Sequence, residues 1–224
     1  MGFVPEMLLM LIPAAYSALY VASSKGLIER ALAVHELRRT RRGTVRDLVD
    51  GQPVRLIGQI EVDEDTPLLE APLSGRPCVA FRALTWQSEG RSLSQIIIDD
   101  HGAMPFWVRD ATGRVLVPRG STLPWLRLAP VERSGPFRPA SGPFEAYLER
   151  HGRSSKGLLF GNPTEIEEGI LAPGDTVAVA GHGRFDPTLG AASERGYRER
   201  VGTAVLDPLR DGFVLVSNLP FVLR

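Results

Sequence analysis

The adjacent residues Asp99, Asp100 and His101 are the group in this sequence best suited to chemistry. Carboxylates and an imidazole can act as general acid and base, and the same groups bind metal ions. This interpretation predicts a membrane-associated hydrolase or a metal-dependent enzyme. The alternative, which the apolar runs on either side favour, is a polar loop between two strands.

Two other polar segments could bind small ions. The first contains the carboxylates Glu61, Asp63, Glu64 and Asp65. These residues offer the oxygen ligands that calcium prefers, but they lack the spacing of an EF-hand loop. In the second, residues 181–187 (GHGRFDP), His182 and Arg184 stand beside glycines whose backbone could form an anion-binding nest. A solvated acidic turn and a tight turn after a strand explain the two segments equally well, so no metal or cofactor is expected.

The three tryptophans are Trp86, Trp107 and Trp125. They are typical of core or rim positions, but would mark a binding face if they lay exposed in one groove. The candidate binding residues are therefore Trp86, Trp107, His182 and Arg184.

Charge is balanced across the 224 residues, with 26 basic and 26 acidic side chains, so no nucleic-acid partner is expected. The local distribution is uneven, because seven basic residues fall within a short segment: Lys25, Arg30, Arg38, Arg39, Arg41, Arg42 and Arg46. A single cysteine, Cys78, excludes an internal disulfide framework. Glycine (23) and proline (18) are plentiful, which favours an all-β domain rich in turns.

Residues 7–22 read MLLMLIPAAYSALYVA and carry no charge. As a helix they cover roughly 24 Å, and residues 2–5 extend the span to about 31 Å, close to the ~30 Å hydrocarbon core of a bilayer. An uncleaved membrane anchor over residues 1–24 is the favoured interpretation. The alternatives are a buried helix of a soluble protein and a signal peptide cleaved near Ala22 and Ser24, which would leave an exported β domain.

The basic cluster follows the apolar segment, and the positive-inside rule then places everything after Ala22 in the cytoplasm. A basic juxtamembrane helix and linker is expected over residues 25–50, with the helix at 24–42 ended by Gly43. The residues expected to contact lipid headgroups are Arg38, Arg39, Arg41 and Arg42. Residues 44–51 (TVRDLVDG) predict one short capped helical turn.

From Pro53 onward the sequence predicts about eight short strands and one more short helix, GPFEAYLERHG. Hairpins are expected from residues 78–100 and from residues 104–118, and a bulge is expected at Gly58. An acidic turn is expected at Glu165–Glu168. Consecutive hairpins favour an antiparallel barrel of oligonucleotide-binding (OB) type over residues 51–224, with a two-sheet sandwich as the alternative.

Three segments stand out together: residues 71–86 (APLSGRPCVAFRALTW), 105–118 (PFWVRDATGRVLVP) and 167–185 (EEGILAPGDTVAVAGHGRF). In this order and spacing they resemble the GIDE family, the "beside a membrane" domain of mitochondrial E3 ubiquitin ligases and many prokaryotic membrane proteins. The resemblance covers residues 51–224. It implies a sensing or protein-interaction module next to a membrane, without established catalytic residues. One cysteine cannot supply the zinc ligands of the RING finger that the ligases carry, so ligase activity is not expected.

The sequence thus predicts a single-pass membrane protein with a cytoplasmic, GIDE-like β domain that binds or senses a partner. Its expected partners are membrane lipid and an unidentified protein.

Overall fold

The computed structural model describes residues 32–89, 93–120, 122–135, 137–155, 163–189, 202–209 and 212–224. The predicted anchor at residues 1–24 lies outside them, as do Lys25 and Arg30. Within the described ranges, no helix combines the length and the hydropathy that crossing a bilayer requires.

The described chain is mainly β, with thirteen strands, two α-helices and a 3₁₀ turn. The strands are β1 (Pro53–Glu61), β2 (Leu69–Glu70), β3 (Pro77–Cys78), β4 (Ala80–Glu89), β5 (Leu93–Ala103), β6 (Phe106–Asp110), β7 (Gly113–Val117), β8 (Thr122–Trp125), β9 (Ala129–Ser134), β10 (Thr164–Leu171), β11 (Thr176–Asp186), β12 (Thr203–Asp207) and β13 (Val214–Ser217). The helices are α1 (residues 32–39) and α2 (Gly142–Arg150), and the 3₁₀ turn is Val45–Asp47.

Five strands close into a barrel in the order β1–β6–β7–β12–β11 and back to β1. Alternate residues of each strand point into the barrel, and the inward residues of β1 are Val54, Leu56 and Ile60. The neighbouring strands are antiparallel except for β7 and β12, which run parallel. The predicted barrel is confirmed, whereas purely antiparallel pairing is wrong because β12 enters the sheet beside β7 from a distant part of the chain.

Two further layers lie against the barrel. The long strand β11 also pairs with β13, which is parallel to β8, so the barrel sheet extends on one side. A second sheet, in the order β5–β4–β10–β9, carries α2 on one face. The helix buries Phe144, Tyr147 and Leu148 against this sheet, as its amphipathic pattern predicts. Nearby in β3, burial and then the charge of Glu168 raise the pKa of the Cys78 thiol to about 11.

Helix α1 packs on the outside of the barrel rather than standing apart from it. Its buried residues Ala33 and Leu37 lie one turn apart. They join a small apolar core with Trp125, Ala178, Ala180, Leu215 and Val222. The following residues continue the contact, because Arg55 N donates to Arg41 O (2.9 Å) and Gly43 N donates to Arg55 O (3.0 Å).

Several predicted elements are confirmed. The hairpins β4–β5 and β6–β7 form as expected, and so does the capped turn at Val45–Asp47, where Thr44 and Asp47 build the capping box. Helix α1 ends at residue 39, earlier than the predicted end at Gly43. The reason is tertiary, since residues 41–43 leave the helix to form hydrogen bonds with the first half of β1.

Three predicted turns are strands instead. The segments Glu165–Glu168, Asp99–His101 and 181–186 lie within β10, β5 and β11. Tertiary partners form hydrogen bonds or ion pairs with the side chains that suggested loops. Glu168, for example, accepts hydrogen bonds from the backbone N–H groups of Leu73 and Ser74. The predicted single strand around residues 122–132 is divided into β8 and β9, which belong to different sheets.

The predicted bulge at Gly58 is also wrong, because the register of β1 with β11 runs through this residue without a shift. Glycine is required there by close packing. A Cβ atom would lie 2.2 Å from the carbonyl oxygen of Arg109 in β6. The glycine lies next to Gln59, where the pairing of β1 changes from β11 to β6.

A buried arginine connects the second sheet to the barrel layer. Arg82 of β4 donates two hydrogen bonds to Asp99 of β5, at 2.9 and 2.6 Å. The guanidinium carbon lies 3.9 Å from the ring centroid of Trp125 in β8. Planar stacking and a two-point carboxylate contact both suit arginine in a way that lysine cannot reproduce.

Asp110 connects the 3₁₀ turn to the β6–β7 hairpin through hydrogen bonds. Its carboxylate accepts hydrogen bonds from Val45 N (2.8 Å), from Thr112 N and Oγ1 (both 2.6 Å) and from Gly113 N (3.0 Å). Burial opposes its ionisation, but the hydrogen bonds from Thr112, Val45 and Gly113 outweigh burial and lower the pKa of Asp110.

We expect Asp110→Asn to lower the free energy of unfolding by about 1–3 kcal/mol, because an amide replaces a charged acceptor of several bonds. The folded-state pKa lies below the unfolded value of about 3.9, so this stabilisation is present above that pH and is lost as the pH falls through the lower folded value. Chemical denaturation of the full chain in detergent micelles, at pH 7 and at pH 3, measures both effects. The exposed Asp65→Asn is the matched control, and equal losses in the two variants would contradict this role.

Arg82→Lys is expected to cost about 1–3 kcal/mol of unfolding free energy, since lysine keeps the charge but loses the stacking and one of the two bonds. Arg133→Lys is its control. Arg133 pairs with Glu165 at 2.9 Å, but its side chain is 70% exposed, so the same exchange should change stability by less than about 0.5 kcal/mol. Denaturation curves that coincide for the two variants would show that Arg82 has no special role.

Candidate functional site

An open cleft of about 660 Å³ lies between α1 and the barrel. Its walls are Leu32, His35, Glu36, Arg39, Thr40, Arg41, Pro53, His182 and Leu209. Four separate parts of the chain contribute: α1 with the residues after it, the start of β1, β11, and the segment after β12. The cleft brings together predicted site residues from two regions, because His182 faces the same space as Arg39 and Arg41.

One face of α1 lines the cleft. Leu32, His35, Glu36 and Arg39 follow the spacing i, i+3, i+4 and i+7, which places them on one side of a helix. The other side carries Ala33 and Leu37 into the apolar core. The apolar face therefore determines the direction in which the polar face points.

His182 is held in one orientation by the barrel. It lies in β11 between Pro53 of β1 and Asp207 of β12. Its Nδ1 atom is 2.8 Å from the carbonyl oxygen of Pro208. A carbonyl oxygen only accepts, so Nδ1 must carry a proton and donate. The other ring nitrogen, Nε2, is then the atom that remains for a ligand.

Positive charge accumulates beside the cleft. Arg38, Arg39, Arg41 and Arg42 are all exposed, and Arg55 of β1 lies next to them. Burial, followed by the charges of Arg42 and Arg38, lowers the pKa of Arg55. The Nε atom of Arg55 is buried without a hydrogen-bond partner. Among the described residues, no carboxylate forms an ion pair with these five arginines.

Arginines elsewhere on the barrel are paired. Arg184, a predicted binding residue, contacts Asp207 at 2.9 Å and Asp186 at 2.8 Å. Arg109 contacts Glu61, and Arg114 lies 3.8 Å from Asp63. Single exposed arginines without an ion pair, such as Arg119 and Arg153, also occur in the described structure. The segment 38–42 differs from them because four such arginines are clustered there, beside Arg55 of β1.

Residues 181–187 do not form the predicted turn, so the predicted anion-binding backbone nest is replaced by extended strand. The glycines serve packing instead. A Cβ on Gly181 would lie 2.6 Å from the carbonyl oxygen of Asp207, and one on Gly183 would lie 2.9 Å from Leu48 Cδ2. His182 is the residue of this segment that lines the cleft, whereas Arg184 is paired with two aspartates.

The predicted tryptophan residues lie on two different sheets. Trp86 belongs to β4 of the second sheet, where its Nε1 donates to Glu167 at 3.0 Å. Trp107 is on the outer wall of the barrel in β6. Its Nε1 donates to Asp63 at 3.3 Å, and the Arg114 guanidinium carbon lies 4.1 Å from its ring centroid. The two residues do not share a groove with His182.

The three residues Asp99, Asp100 and His101 do not converge on one point. Side chains alternate along β5, so Asp99 bonds Arg82 on one face while Asp100 lies 3.4 Å from His151, the C-cap residue of α2, on the other. His101 is exposed. The described residues contain no group of three or more His, Cys, Asp or Glu side chains placed to hold a metal ion.

Sequence reasoning missed His35 and Arg55. His35 lies in the helix predicted at residues 24–42 and Arg55 in the first predicted strand, and the sequence singles out neither as a site residue. The spacing of His35 and Arg39, four residues apart on one helix, was the available signal for His35. No local signal exists for Arg55, because its neighbours Arg38 and Arg42 reach it only through the pairing of residues 41–43 with β1.

Comparison of the chain with protein-family models, with curated proteins and with solved structures found no match.

Proposed function

We propose that this chain is a membrane-tethered binding module whose basic segment, Arg38–Arg42, rests on the anionic surface of the cytoplasmic leaflet. The observation that carries the proposal is the group of exposed arginines without carboxylate partners in the described structure, next to the predicted anchor in sequence. Each basic side chain near an anionic surface contributes about 1 kcal/mol of attraction.

The packing of α1 supports a defined orientation. Ala33 and Leu37 are buried against the barrel, and residues 41–43 are hydrogen-bonded to β1. The basic segment therefore moves with the barrel as one unit. Binding of its arginines to headgroups would hold the cleft and the adjoining end of the barrel close to the bilayer.

The connectivity of the barrel supports an OB-type assignment. In chain order the barrel strands are β1, β6, β7, β11 and β12. Around the barrel, β12 lies between β7 and β11, and it runs parallel to β7. This Greek-key arrangement is that of OB barrels, which bind ligands on their outer surface and connecting loops. A GIDE-type module that recruits an unidentified protein partner agrees with this arrangement, as does the order of the three segments that carry the resemblance.

The second candidate, a hydrolase using the Asp99–His101 region, has less support. Hydrolysis needs an acid, a base or a metal within reach of one reacting bond. Here Asp99 and Asp100 point to opposite faces of a sheet, each toward its own basic partner. The third candidate is an exported β domain, in which cleavage would leave the basic segment about 15 residues from the new N-terminus.

The mature N-terminus separates anchor from export. We expect the full-length chain to remain in the membrane fraction after alkaline carbonate washing, because a hydrophobic helix resists extraction that removes surface-bound proteins. Intact mass spectrometry of the chain purified from native membranes should then retain residues 1–24. A mature protein starting near Ser23 or Lys25, released by carbonate, would overturn the tethered model.

Arginine protection tests the orientation. The full chain is placed in nanodiscs of zwitterionic lipid alone or with anionic lipid, and phenylglyoxal modification of each arginine is measured by mass spectrometry. We expect modification of Arg38, Arg39, Arg41 and Arg42 to slow about threefold or more in the anionic nanodiscs. The effect should fade at about 1 M salt, where charges are screened within about 3 Å.

The exposed residues Arg119 and Arg153 are internal controls for reagent access. Their modification rates should not depend on lipid charge. Equal rates for the basic segment in both nanodiscs, with or without salt, would exclude contact between these arginines and the headgroups.

A further inference from the structure

We propose, resting on the membrane-surface function above, that the cleft between α1 and the barrel binds a phosphomonoester group. The group could belong to an anionic lipid headgroup or to a soluble phosphorylated molecule, since both present the same terminal phosphate. The ligand-binding side chains are Arg39 and Arg41 from the end of α1 and the segment after it, His35 from the preceding helical turn, and His182 from β11.

Charge and geometry select a phosphate. Guanidinium groups donate hydrogen bonds in a planar fork that matches two phosphate oxygens. Arg39 and Arg41 approach from one wall, and His182 stands on the other. Glu36 is the one carboxylate among the described residues of the lining, so the cationic side chains of the cleft outnumber it.

The orientation of His182 and the cationic lining of the cleft favour a monoester over a diester. Its Nδ1 donates to Pro208 O, so Nε2 of the neutral ring is an acceptor and needs a proton donor. A phosphomonoester with a second pKa of about 6 can supply that proton from a P–OH group, or can accept one from the imidazolium form. A phosphodiester has no P–OH group and carries one negative charge, whereas a monoester carries up to two and so attracts Arg39 and Arg41 more strongly.

The remaining walls suit the rest of such a ligand. Leu32, Pro53 and Leu209 give the cleft an apolar side. Its volume of about 660 Å³ exceeds what a phosphate alone would fill, and it lies in the range of ordinary ligand sites. The cleft shares Arg39 and Arg41 with the basic segment, so a lipid headgroup could reach it from the bilayer.

Calorimetry with the full chain in detergent micelles tests the proposal. The probes are dioctanoyl phosphatidic acid (a monoester), dioctanoyl phosphatidylglycerol (a diester with the same acyl chains) and glycerol 3-phosphate. We expect phosphatidic acid to bind at least about tenfold more tightly than phosphatidylglycerol. Comparable affinity for glycerol 3-phosphate would identify the phosphate alone as sufficient, whereas binding of phosphatidic acid only would identify the lipid as the source.

Variants locate the site. R39Q/R41Q should weaken phosphatidic acid binding about tenfold or more, and His182→Gln should remove most of the preference for the monoester. R119Q/R153Q removes the same charge from distant exposed positions and should leave binding unchanged. Circular dichroism confirms that each variant is folded, which is expected because the substituted arginines are exposed.

Equal affinity for phosphatidic acid and phosphatidylglycerol, or absence of binding to both, would overturn the cleft proposal. So would a monoester preference that survives in R39Q/R41Q and in His182→Gln. R38Q/R42Q separates the two proposals, because Arg38 and Arg42 belong to the basic segment but do not line the cleft. It should reduce arginine protection in anionic nanodiscs while the monoester preference persists. If arginine modification in the unaltered chain is not slowed by anionic nanodiscs, while the preference for the monoester is still observed, only the membrane orientation is refuted.

Discussion

The pairing of β11 with β1 is the contact on which the rest of the structure depends. It joins the two ends of a long chain segment, from Pro53–Gln59 to Thr176–His182, and so closes the barrel. Both faces of β11 are buried: Val177 and Val179 fill the interior, while Ala178 and Ala180 form the outer floor on which α1 packs. Because side chains alternate along β11, this one strand contributes to two apolar cores. Apolar burial on both faces offsets the chain entropy that is lost when so long a loop is closed.

The small outward side chains of β11 have a direct consequence for the candidate site. Alanine at positions 178 and 180 allows α1 and Trp125 to lie close to the sheet, which aims the opposite face of α1 along the barrel toward His182. The cleft exists because a helix and a strand from distant parts of the sequence share this floor. Larger residues there would move α1 outward and separate Arg39 from His182.

The distribution of arginine partners separates structural roles from binding roles. Arg82 is buried, bonded twice to Asp99 and stacked on Trp125, so its charge is used within the fold. Arg184 is likewise satisfied by two aspartates. The exposed arginines of the segment 38–42 make no such ion pairs in the described structure. A single exposed arginine attracts an anion weakly, whereas several clustered arginines without internal partners act together, which is the physical basis for assigning the ligand surface to this segment.

Local patterns in the sequence determined a good part of the fold. The hairpins around Asp110–Gly113 and between β4 and β5, the helix Gly142–Arg150 with its buried Phe144, and the capping box at Thr44 all depend on residues near one another in the chain. Turn chemistry and side-chain periodicity act over such short distances. The basic cluster is equally apparent in the sequence, because so many closely spaced cations seldom find enough partners to be buried.

Tertiary structure alone decided which segments rich in charged residues form strands and which residues distant in sequence lie close together. Glu165–Glu168 and Asp99–His101 suggest loops when taken alone, but each carboxylate that matters finds a partner across a sheet or on α2. Gly58 suggested a bulge, although its cause is the carbonyl of Arg109. The placement of Arg39 and His182 on one cleft has no local signature, since it arises from long-range closure of the barrel and the packing of α1 against it. The sequence by itself determined which side chains carry charge, and the closed barrel decided which of those charges are left to bind a ligand.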